Sequence, residues 1–350
     1  MILFLILFLI ILNLFLKRKD NKYDLFPIIT ILLILYAGLK YKYGYDYNNY
    51  LINFNEINTF SDAINTNFEK GYSLILFLFK SIGLGFHSFL LFIAFISIKM
   101  KTNMIKKFSV LPEVSLLIYF LLFYINNDVE QIRHGISIGF CFYALRFMLE
   151  DDMKSKIFAI LFIIFGVLFH TSALLFIPIY FIKDRVISDR QYVIIFVTSL
   201  LFSFVNIFDV LILLNKTFIH STYLTSKINI YLTEKQSIIN LSLLIKLFIL
   251  IVFYYFAFDK KNKVHRLLFN TYFVGIIFTC IFNSIPILTA RGTIYMRYCE
   301  LFMIPIYINS IKEQKNKKIH YCLISCIFAY YLIKFLTMVM KPEYFNYLSI

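Results

Sequence analysis

The chain has 350 residues, of which 60% are hydrophobic and only 16% are charged, and its mean hydropathy is +0.77. A soluble protein of this length needs far more polar surface around its cores, so the composition excludes an ordinary soluble globular fold. The net charge of +15 comes from basic residues scattered over short turns, which argues against a nucleic-acid-binding surface.

Apolar blocks long enough to cross about 30 Å of hydrocarbon follow one another along the chain. They do not alternate as the strands of a membrane barrel do, so helices must satisfy the backbone. We therefore predict an all-α, polytopic transmembrane helical bundle that forms a single integral-membrane domain over residues 1–350. The predicted segments, about twelve, are 1–16, 25–39, 72–98, 111–125, 131–149, 156–169, 171–182, 191–208, 237–258, 267–285, 298–311 and 319–340.

Several of these segments are too short for a straight crossing, which predicts half-helices or re-entrant pieces. The best candidates are 171–182 and the stretch 209–219. Segment 72–98 is instead too long for one crossing. Its run Ser81-Ile82-Gly83-Leu84-Gly85 predicts a break in the helix.

The lysines and arginines in alternate loops predict which side of the membrane each loop faces. One set of loops holds 22 of the 35 basic residues, and we expect it on the cytoplasmic side. These loops are 17–22, 99–107, 146–156, 183–190, 259–266 and 312–318. Both termini and the intervening loops are then expected outside. The prediction is a multi-pass protein of the bacterial inner (plasma) membrane with its functional residues facing the periplasm or exterior.

The first long outer loop, 40–71, is rich in tyrosine and asparagine. Such residues suit an interfacial aromatic belt, and they also suit a site where sugar rings stack and form hydrogen bonds. Both interpretations stay open for Tyr47, Tyr50 and Tyr72.

A second cluster follows the outer turn 126–130. If the next helix starts near Val129, four polar residues share one face at spacings of three and four. They are Glu130, Arg133, His134 and Ser137. Arg133 could simply anchor its span by extending its side chain to the interface. Ionisable groups at the edge of a span are, however, candidates for function, so a functional cluster is the alternative.

His170 occurs in Phe169-His170-Thr171-Ser172-Ala173, at the outer end of two short apolar runs. A lone histidine between helices is more often a structural residue. Its position favours a functional role, because a break between two helices can open toward a cavity.

A third outer cluster contains Arg291 and Arg297, six positions apart in a predicted loop. Two guanidinium groups can bind a phosphate through paired hydrogen bonds, although lipid head groups alone explain one arginine. The sequence contains no phosphate-binding glycine-rich loop and no metal-ligand spacing. We therefore expect neither a metal nor a cofactor.

Five short stretches on the predicted outer side resemble the EpsG family of exopolysaccharide polymerases and, more loosely, the Wzy-type O-antigen polymerases. They are 44–50, 69–72, 131–133, 169–173 and 291–298. Two positions depart from the family pattern, because Lys70 stands where proline is usual and Tyr45 where threonine is usual. The resemblance also implies a bundle like that of the membrane-embedded GT-C-type glycosyltransferases.

The resemblance implies a glycosyltransferase that moves a glycan from undecaprenyl diphosphate to the terminal sugar of another lipid-linked repeat unit. Its partners would be these glycans, the lipid bilayer and, as a candidate, a chain-length regulator. Loop 40–71 would form part of the substrate site. The expected diphosphate-binding residues are Arg133, Arg291 and Arg297. The expected general base is His170, with Asp46 or Glu69 as substitutes. The expected sugar-binding residues are Tyr47, Tyr50, Tyr72, Glu130, His134 and Tyr295.

Three other functions stay open. A lipid-linked oligosaccharide flippase would carry basic residues deep in many spans, whereas Lys246 and Lys334 are nearly alone in theirs. A membrane acyltransferase typically pairs its catalytic histidine with an arginine three or four positions away, which His170 lacks. An O-antigen ligase shares the chemistry and differs mainly in its acceptor, so the sequence hardly separates it from a polymerase.

Overall fold

The structure is a computed structural model. It describes residues 2–19, 24–42, 44, 46–183, 185–204, 209, 212, 213, 215–219 and 241–341. Every regular element within these ranges is a helix, in agreement with the predicted all-α class. The predicted re-entrant stretch 209–219 and the segment 191–208 lie partly outside the described residues.

The helices follow one another with short connections. The α-helices are α1 Ile2–Lys19, α2 Phe26–Gly38, α3 Tyr47–Glu56, α4 Phe60–Asn65, α5 Lys70–Ser81, α6 Phe86–Phe108, α7 Pro112–Ile118, α8 Ile132–Met148, α9 Met153–Phe169, α10 Ile177–Ile182, α11 Asp189–Phe202, α12 Leu241–Phe256, α13 Lys263–Ile281, α14 Pro286–Arg297, α15 Glu300–Ser310 and α16 Lys317–Val339. The π-helical segments are Tyr119–Glu130 and Asn215–Ile219, and the 3-10 helices are Thr171–Phe176 and Ile311–Glu313.

Three of these helices, α6, α13 and α16, are long and apolar enough to cross a membrane. Shorter apolar helices cover 2–17, 26–38, 171–182 and 241–256. A straight crossing needs about 20 residues, so the shorter helices can cross only where the bilayer is thin or as parts of broken spans. These are the helices of a membrane protein, while the count of about twelve segments and the likeness to GT-C-type enzymes stay predictions.

The chain packs as two compact units. The first contains Met1–Leu174 and Ile304–Ile350, and the second contains Leu175–Met303. In the first unit α8 packs along α9 and α6, and α6 also packs along α2. In the second unit α13 packs along α14 and α11. The prediction of one integral-membrane domain stays a prediction.

The predicted break in segment 72–98 is confirmed, because α5 ends at Ser81 and α6 begins at Phe86. Gly83 adopts a positive φ of 78° in this turn, which a residue with a side chain rarely does. The prediction that residues 99–107 form a loop is wrong, since α6 continues to Phe108, while their cytoplasmic location stays a prediction. Lys101 lies inside the first unit as a fully buried residue, so counting it among loop residues was also wrong.

Half of loop 40–71 is helical, because α3 and α4 lie within it. Helix α4 begins with a capping box in which Thr59 accepts a hydrogen bond from the backbone of Asp62 and Asp62 accepts one from the backbone of Thr59. Hydrogen bonds from the backbone N–H groups of Asn58 and Thr59 lower the pKa of Asp62, and the bond from Asn58 contributes most. Tyr47 and Tyr50 therefore lie on α3, and Tyr72 lies on α5, in the first unit.

The π-helical segment 119–130 changes the geometry of the second cluster. It ends at Glu130, and α8 begins at Ile132 after the single residue Gln131. The prediction that Glu130 shares a helix face with Arg133 is therefore wrong. Glu130 is buried and packs against Gly44. A Cβ atom on Gly135 would overlap the carbonyl oxygen of Asn127, so this glycine allows α8 to pack tightly against the end of the π-helix.

Candidate functional site

The first unit contains an ion pair between Glu69 and Arg133. Glu69 immediately precedes α5, and Arg133 lies in the first turn of α8. The other carboxylate oxygen of Glu69 accepts a hydrogen bond from the backbone N–H of Thr171 at 3.4 Å. One carboxylate thus joins three segments that are far apart in sequence. Three of the motifs that carry the family resemblance meet here.

Glycine makes this meeting possible. A Cβ atom on Gly71 would lie 2.7 Å from the carbonyl oxygen of Leu168, so only glycine lets the start of α5 approach the end of α9 so closely. Close packing continues between α8 and α9, where Ser137 donates a hydrogen bond to the carbonyl oxygen of Gly166 at 2.7 Å. These contacts fix the positions from which Glu69 and His170 extend.

Aromatic rings surround the guanidinium group of Arg133. Its central carbon lies 4.4 Å from the ring centre of Phe68 and 5.8 Å from those of Tyr50 and Tyr72. Such cation–π contacts hold an arginine in place when it is partly shielded from water. The Arg133 side chain is 24% exposed and that of Glu69 is 14% exposed. Arg133 is therefore a fixed charge at the surface of the unit.

The predicted sugar-binding tyrosines lie deeper than a binding surface requires. Tyr47, Tyr50 and Tyr72 are all buried and belong to one hydrophobic cluster. Tyr50 also lines an open cleft of about 230 Å³ together with Asp46 and Arg133. Burial raises the pKa of the Tyr50 phenol, so its hydroxyl stays protonated and donates to Asp46 Oδ2 at 3.5 Å. A role in binding sugar stays a prediction for these tyrosines, and the geometry favours Tyr50.

Two histidine rings contact each other beside the ion pair. The ring centres of His134 and His170 are 4.7 Å apart, with 39° between the ring planes. Nδ1 of His170 lies 2.6 Å from Oγ of Ser172 and accepts the backbone N–H of Ser172 at 3.3 Å. A backbone N–H can only donate, so the neutral ring of His170 carries its proton on Nε2. His170 in this arrangement presents a hydrogen-bond donor.

His134 has the opposite arrangement. Its Nδ1 lies 3.2 Å from Oε1 of Gln131, an oxygen that can only accept. The neutral ring of His134 therefore carries its proton on Nδ1, which leaves the lone pair on Nε2. The structure thus brings a donor imidazole and an acceptor imidazole into contact next to Arg133. Sequence reasoning missed Gln131 and Ser172, although both lie inside the motifs that resemble the family.

The third cluster lies in the second unit and is helical. The predicted loop around Arg291 and Arg297 is wrong, because α14 includes both residues. Six positions on an α-helix place two side chains about 120° apart around its axis, so these arginines do not share a face. Arg291 is exposed. Arg297 Nε donates to the buried carboxylate of Glu300 at 3.0 Å.

Other groups in the second unit support this carboxylate. Tyr272 donates to the same oxygen of Glu300 at 3.0 Å. Tyr295 is buried and its ring centre lies 6.4 Å from that of Phe176. Its predicted contact with sugar stays a prediction, although its burial does not favour it.

A buried polar network in the first unit was not predicted. It consists of Ser97, Lys101, Tyr119 and Asp128, and all four side chains are buried. The sequence offered one indication of this network, because Ser97 and Lys101 lie four residues apart and so share a face of an otherwise apolar helix. Among the described residues no group of three or more histidine, cysteine, aspartate and glutamate side chains could hold a metal ion. The expected lack of a metal or cofactor stays a prediction.

The sequence model of the EpsG family matches residues 23–349. The chain belongs to the EpsG family. This confirms the resemblance drawn from the five stretches. The EpsG chain is also similar to the amylovoran biosynthesis protein AmsC of Erwinia amylovora, with 34% identity over 100 residues. That similarity covers 28% of this chain and 26% of the relative, so it spans about a quarter of the relative's length. No solved structure matches the chain significantly.

Proposed function

We propose that this chain is a polysaccharide polymerase that transfers a glycan from undecaprenyl diphosphate to the terminal sugar of a lipid-linked repeat unit on the external face of the membrane. Membership of the EpsG family and the similarity to a protein named for amylovoran biosynthesis support polymer synthesis in general. The observation that carries the proposal is the carboxylate of Glu69, which joins Arg133 to the backbone beside His170.

In the proposed reaction, a hydroxyl oxygen of the acceptor sugar attacks the anomeric carbon of the donor glycan. The bond from that carbon to the diphosphate oxygen breaks, and its electron pair leaves with undecaprenyl diphosphate. The hydroxyl proton passes to a base of the protein. The leaving group gains negative charge during this step, so fixed cations near it lower the barrier. The donor bond supplies the energy, and no nucleotide is required.

Arg133 is suited to hold the diphosphate. A guanidinium group has five N–H donors, and the ion pair with Glu69 uses Nη1. The Nε–H has no hydrogen-bond partner among the described residues. The Nε atom is itself buried, whereas the side chain as a whole lines the open cleft, so Glu69 and the surrounding rings orient the guanidinium group at this cleft. Arg291 and Arg297 remain proposed diphosphate-binding residues, and the bond to Glu300 orients Arg297 in a similar way.

The base is proposed to come from the two imidazoles in contact, His134 and His170. His170 can accept a proton only at Nδ1, which Ser172 occupies, so its action as a base requires release of that contact. His134 contacts His170 and is bonded to Gln131 through Nδ1, so Nε2 is the nitrogen at which its neutral ring would accept a proton. Glu69 is a weaker candidate, because Arg133 and the backbone N–H of Thr171 already occupy its two carboxylate oxygens. Asp46 lines the cleft beside Arg133 and remains the substitute.

A flippase remains the second candidate because the structure buries more basic residues than the sequence indicated. Lys40, Lys101 and Lys246 are all buried. Lys101 is neutralised by Asp128, and Lys40 donates to the carbonyl oxygen of Val129. Both partners are fixed structural groups, which favours a structural role for these lysines over a path for a charged lipid.

A deletion strain tests the proposal directly. Loss of a polymerase should leave single repeat units on their acceptor and remove only the longer chains. Loss of a flippase or a ligase should remove all repeat units from the acceptor. Restoration of long chains by the wild-type gene is the control. An unchanged polymer profile in the deletion strain would contradict the proposed function.

A further inference from the structure

Helix α3 carries polar residues along one face. Asp46 immediately precedes the helix, and Asn49, Asn53 and Glu56 follow at spacings of three or four, which places them on the same side. The apolar side of the helix contributes Phe54 to the core. The polar face lines the open cleft of about 230 Å³ already described. We call this space the α3 cleft.

Arg133 and Phe68, from outside α3, also line the α3 cleft. Two buried polar atoms of its lining residues, Oδ1 of Asn53 and Nε of Arg133, have no hydrogen-bond partner among the described residues. The Nδ2 of Asn53 donates to Oγ1 of Thr66 at 3.2 Å, which fixes the amide and leaves its oxygen unsatisfied. A buried polar atom without a partner costs about 1–3 kcal/mol. A water, or a ligand reached by a small movement of these side chains, would satisfy them.

The lining groups favour a neutral polyhydroxyl ligand over an anion. Asp46 and Glu56 accept hydrogen bonds as carboxylates, whereas the amide of Asn49 can both donate and accept. Sugar hydroxyl groups also do both, and neighbouring hydroxyls can donate to one carboxylate. The two carboxylates outnumber the single cation of Arg133, whose charge is already paired with Glu69. A phosphate group would therefore be repelled along most of the cleft.

Aromatic rings complete this environment. Tyr50 and Phe68 both line the cleft, and their faces can pack against the C–H groups of a pyranose ring. The volume is below the roughly 300 Å³ from which pockets for drug-sized ligands begin, so the cleft suits one ring better than a whole repeat unit.

From this geometry we infer that the α3 cleft binds a single sugar ring of the glycan, with Asp46, Asn49 and Glu56 binding its hydroxyl groups. The inference rests on the proposed function, and it makes α3 the element that selects the sugar. Arg133 marks the boundary of this subsite toward the diphosphate. The ring is either the terminal sugar of the acceptor or the first sugar of the donor, and the two sources are chemically alike.

Thiol protection tests the inference in the full-length protein in nanodiscs. Ile52→Cys places a thiol in the cleft without removing a proposed hydrogen bond, since Ile52 lines the cleft and is exposed. Ile64→Cys is the matched control, because Ile64 is exposed on α4 and does not line the cleft. Cys322→Ser and Cys326→Ser remove the two exposed native thiols. The probe is the oligosaccharide that mild acid releases from the lipid-linked repeat units of a deletion strain.

The released oligosaccharide should slow alkylation of Ile52→Cys by a maleimide and leave Ile64→Cys unaffected. Addition of Asn49→Ala or Glu56→Gln, both at exposed positions that leave folding intact, should weaken this protection about tenfold. Protection by the free glycan identifies the acceptor sugar. Protection by the diphosphate-linked glycan alone identifies the first sugar of the donor.

Two results would overturn the inference. Protection by inorganic diphosphate as strong as that by glycan would identify an anion site, and no protection by either glycan would exclude a sugar site. The proposed function fails separately, through an unchanged polymer profile in the deletion strain. A protein that makes polymer without protection at residue 52 therefore refutes the subsite alone.

Discussion

Asp128 and Lys101 form an ion pair in which Nζ and Oδ1 lie 2.6 Å apart and both side chains are fully buried. The second oxygen of Asp128 accepts the hydroxyl of Tyr119 at 2.7 Å, and Ser97 also donates to the carboxylate. The pair links α6 to the π-helical segment directly before α8, the helix that carries Arg133. A π-helix of this length is uncommon, and such helices frequently occur at functional sites.

The first prediction concerns the stability of this pair. Lys101→Met should reduce the free energy of unfolding by about 3–5 kcal/mol, because it leaves the Asp128 charge buried without its partner. The double variant Lys101→Met/Asp128→Asn should recover part of that loss. Lys99→Met, at an exposed position on the same helix, is the control. Unfolding of the purified protein measures all three, and equal stability of Lys101→Met and Lys99→Met would refute the argument.

Arg133 should not tolerate replacement by lysine. We expect Arg133→Lys to reduce polymer synthesis by about 10²–10³-fold, nearly as much as Arg133→Ala. The ammonium group of lysine lacks the planar set of N–H donors with which a guanidinium group can bind Glu69 and a diphosphate at the same time. Polymer length at matched protein level in the membrane is the measurement. Arg146→Lys, at the other end of α8, should retain polymer. Full activity of Arg133→Lys would remove this residue from the proposed mechanism.

Polymer synthesis should continue in the presence of a metal chelator. Arginine side chains supply the charge that the proposed leaving group requires, so no divalent ion is needed. Membranes that hold the wild-type chain and lipid-linked repeat units should make polymer equally with and without EDTA. Inhibition that a divalent ion reverses would indicate a different mechanism.

Replacement of His170 separates a catalytic role from a structural one. His170→Gln keeps much of the volume and can still accept the N–H of Ser172, but it cannot carry a proton during transfer. We expect the rate of polymerisation to fall by about 10²–10⁴-fold, so that only single repeat units reach the acceptor. His87→Gln, at an exposed position, should make normal polymer. Long polymer from His170→Gln would move the role of base to His134, with Asp46 and Glu69 as substitutes.

The close packing of α8 against the end of the π-helix predicts that a side chain at Gly135 reduces stability. Gly135→Ala should destabilise the protein by about 1–3 kcal/mol, because its new methyl group overlaps the carbonyl oxygen of Asn127. Gly85→Ala should be nearly neutral, since a Cβ atom there meets nothing within 4 Å. The midpoint of thermal unfolding is measured for both variants. Equal midpoints would contradict this packing.

The predicted orientation can be tested by labelling from outside intact cells. Cysteines at Asn103 and Lys261 should resist a membrane-impermeant reagent, whereas one at Asn58 should react, after Cys322 and Cys326 have been replaced. All three positions are exposed, so burial does not protect them. Lys260 pairs with Asp189, which joins two loops that the basic-residue count assigns to the same side. The reverse labelling pattern would place the proposed site in the cytoplasm.

Local patterns determined the helical class and the break between α5 and α6. The apolar blocks exclude strands, and Gly83 and Gly85 interrupt a run too long for one helix. Short motifs identified the family for the same reason, because they can be read in sequence order without knowing how helices pack. Glu69, Arg133 and His170 were all found in this way.

Tertiary structure decided how those residues are paired. The sequence separates Glu69 from Arg133 by 64 positions, and only the packing of α5 against α9 and of α9 against α8 brings them together. The π-helical segment changes the helical register, which moves Glu130 away from the face of Arg133. Lys101 was assigned to a loop because a count of basic residues cannot detect a buried partner 27 positions away. Side-chain burial and long-range pairing depend on the packing of whole helices, so they could not be predicted from local sequence.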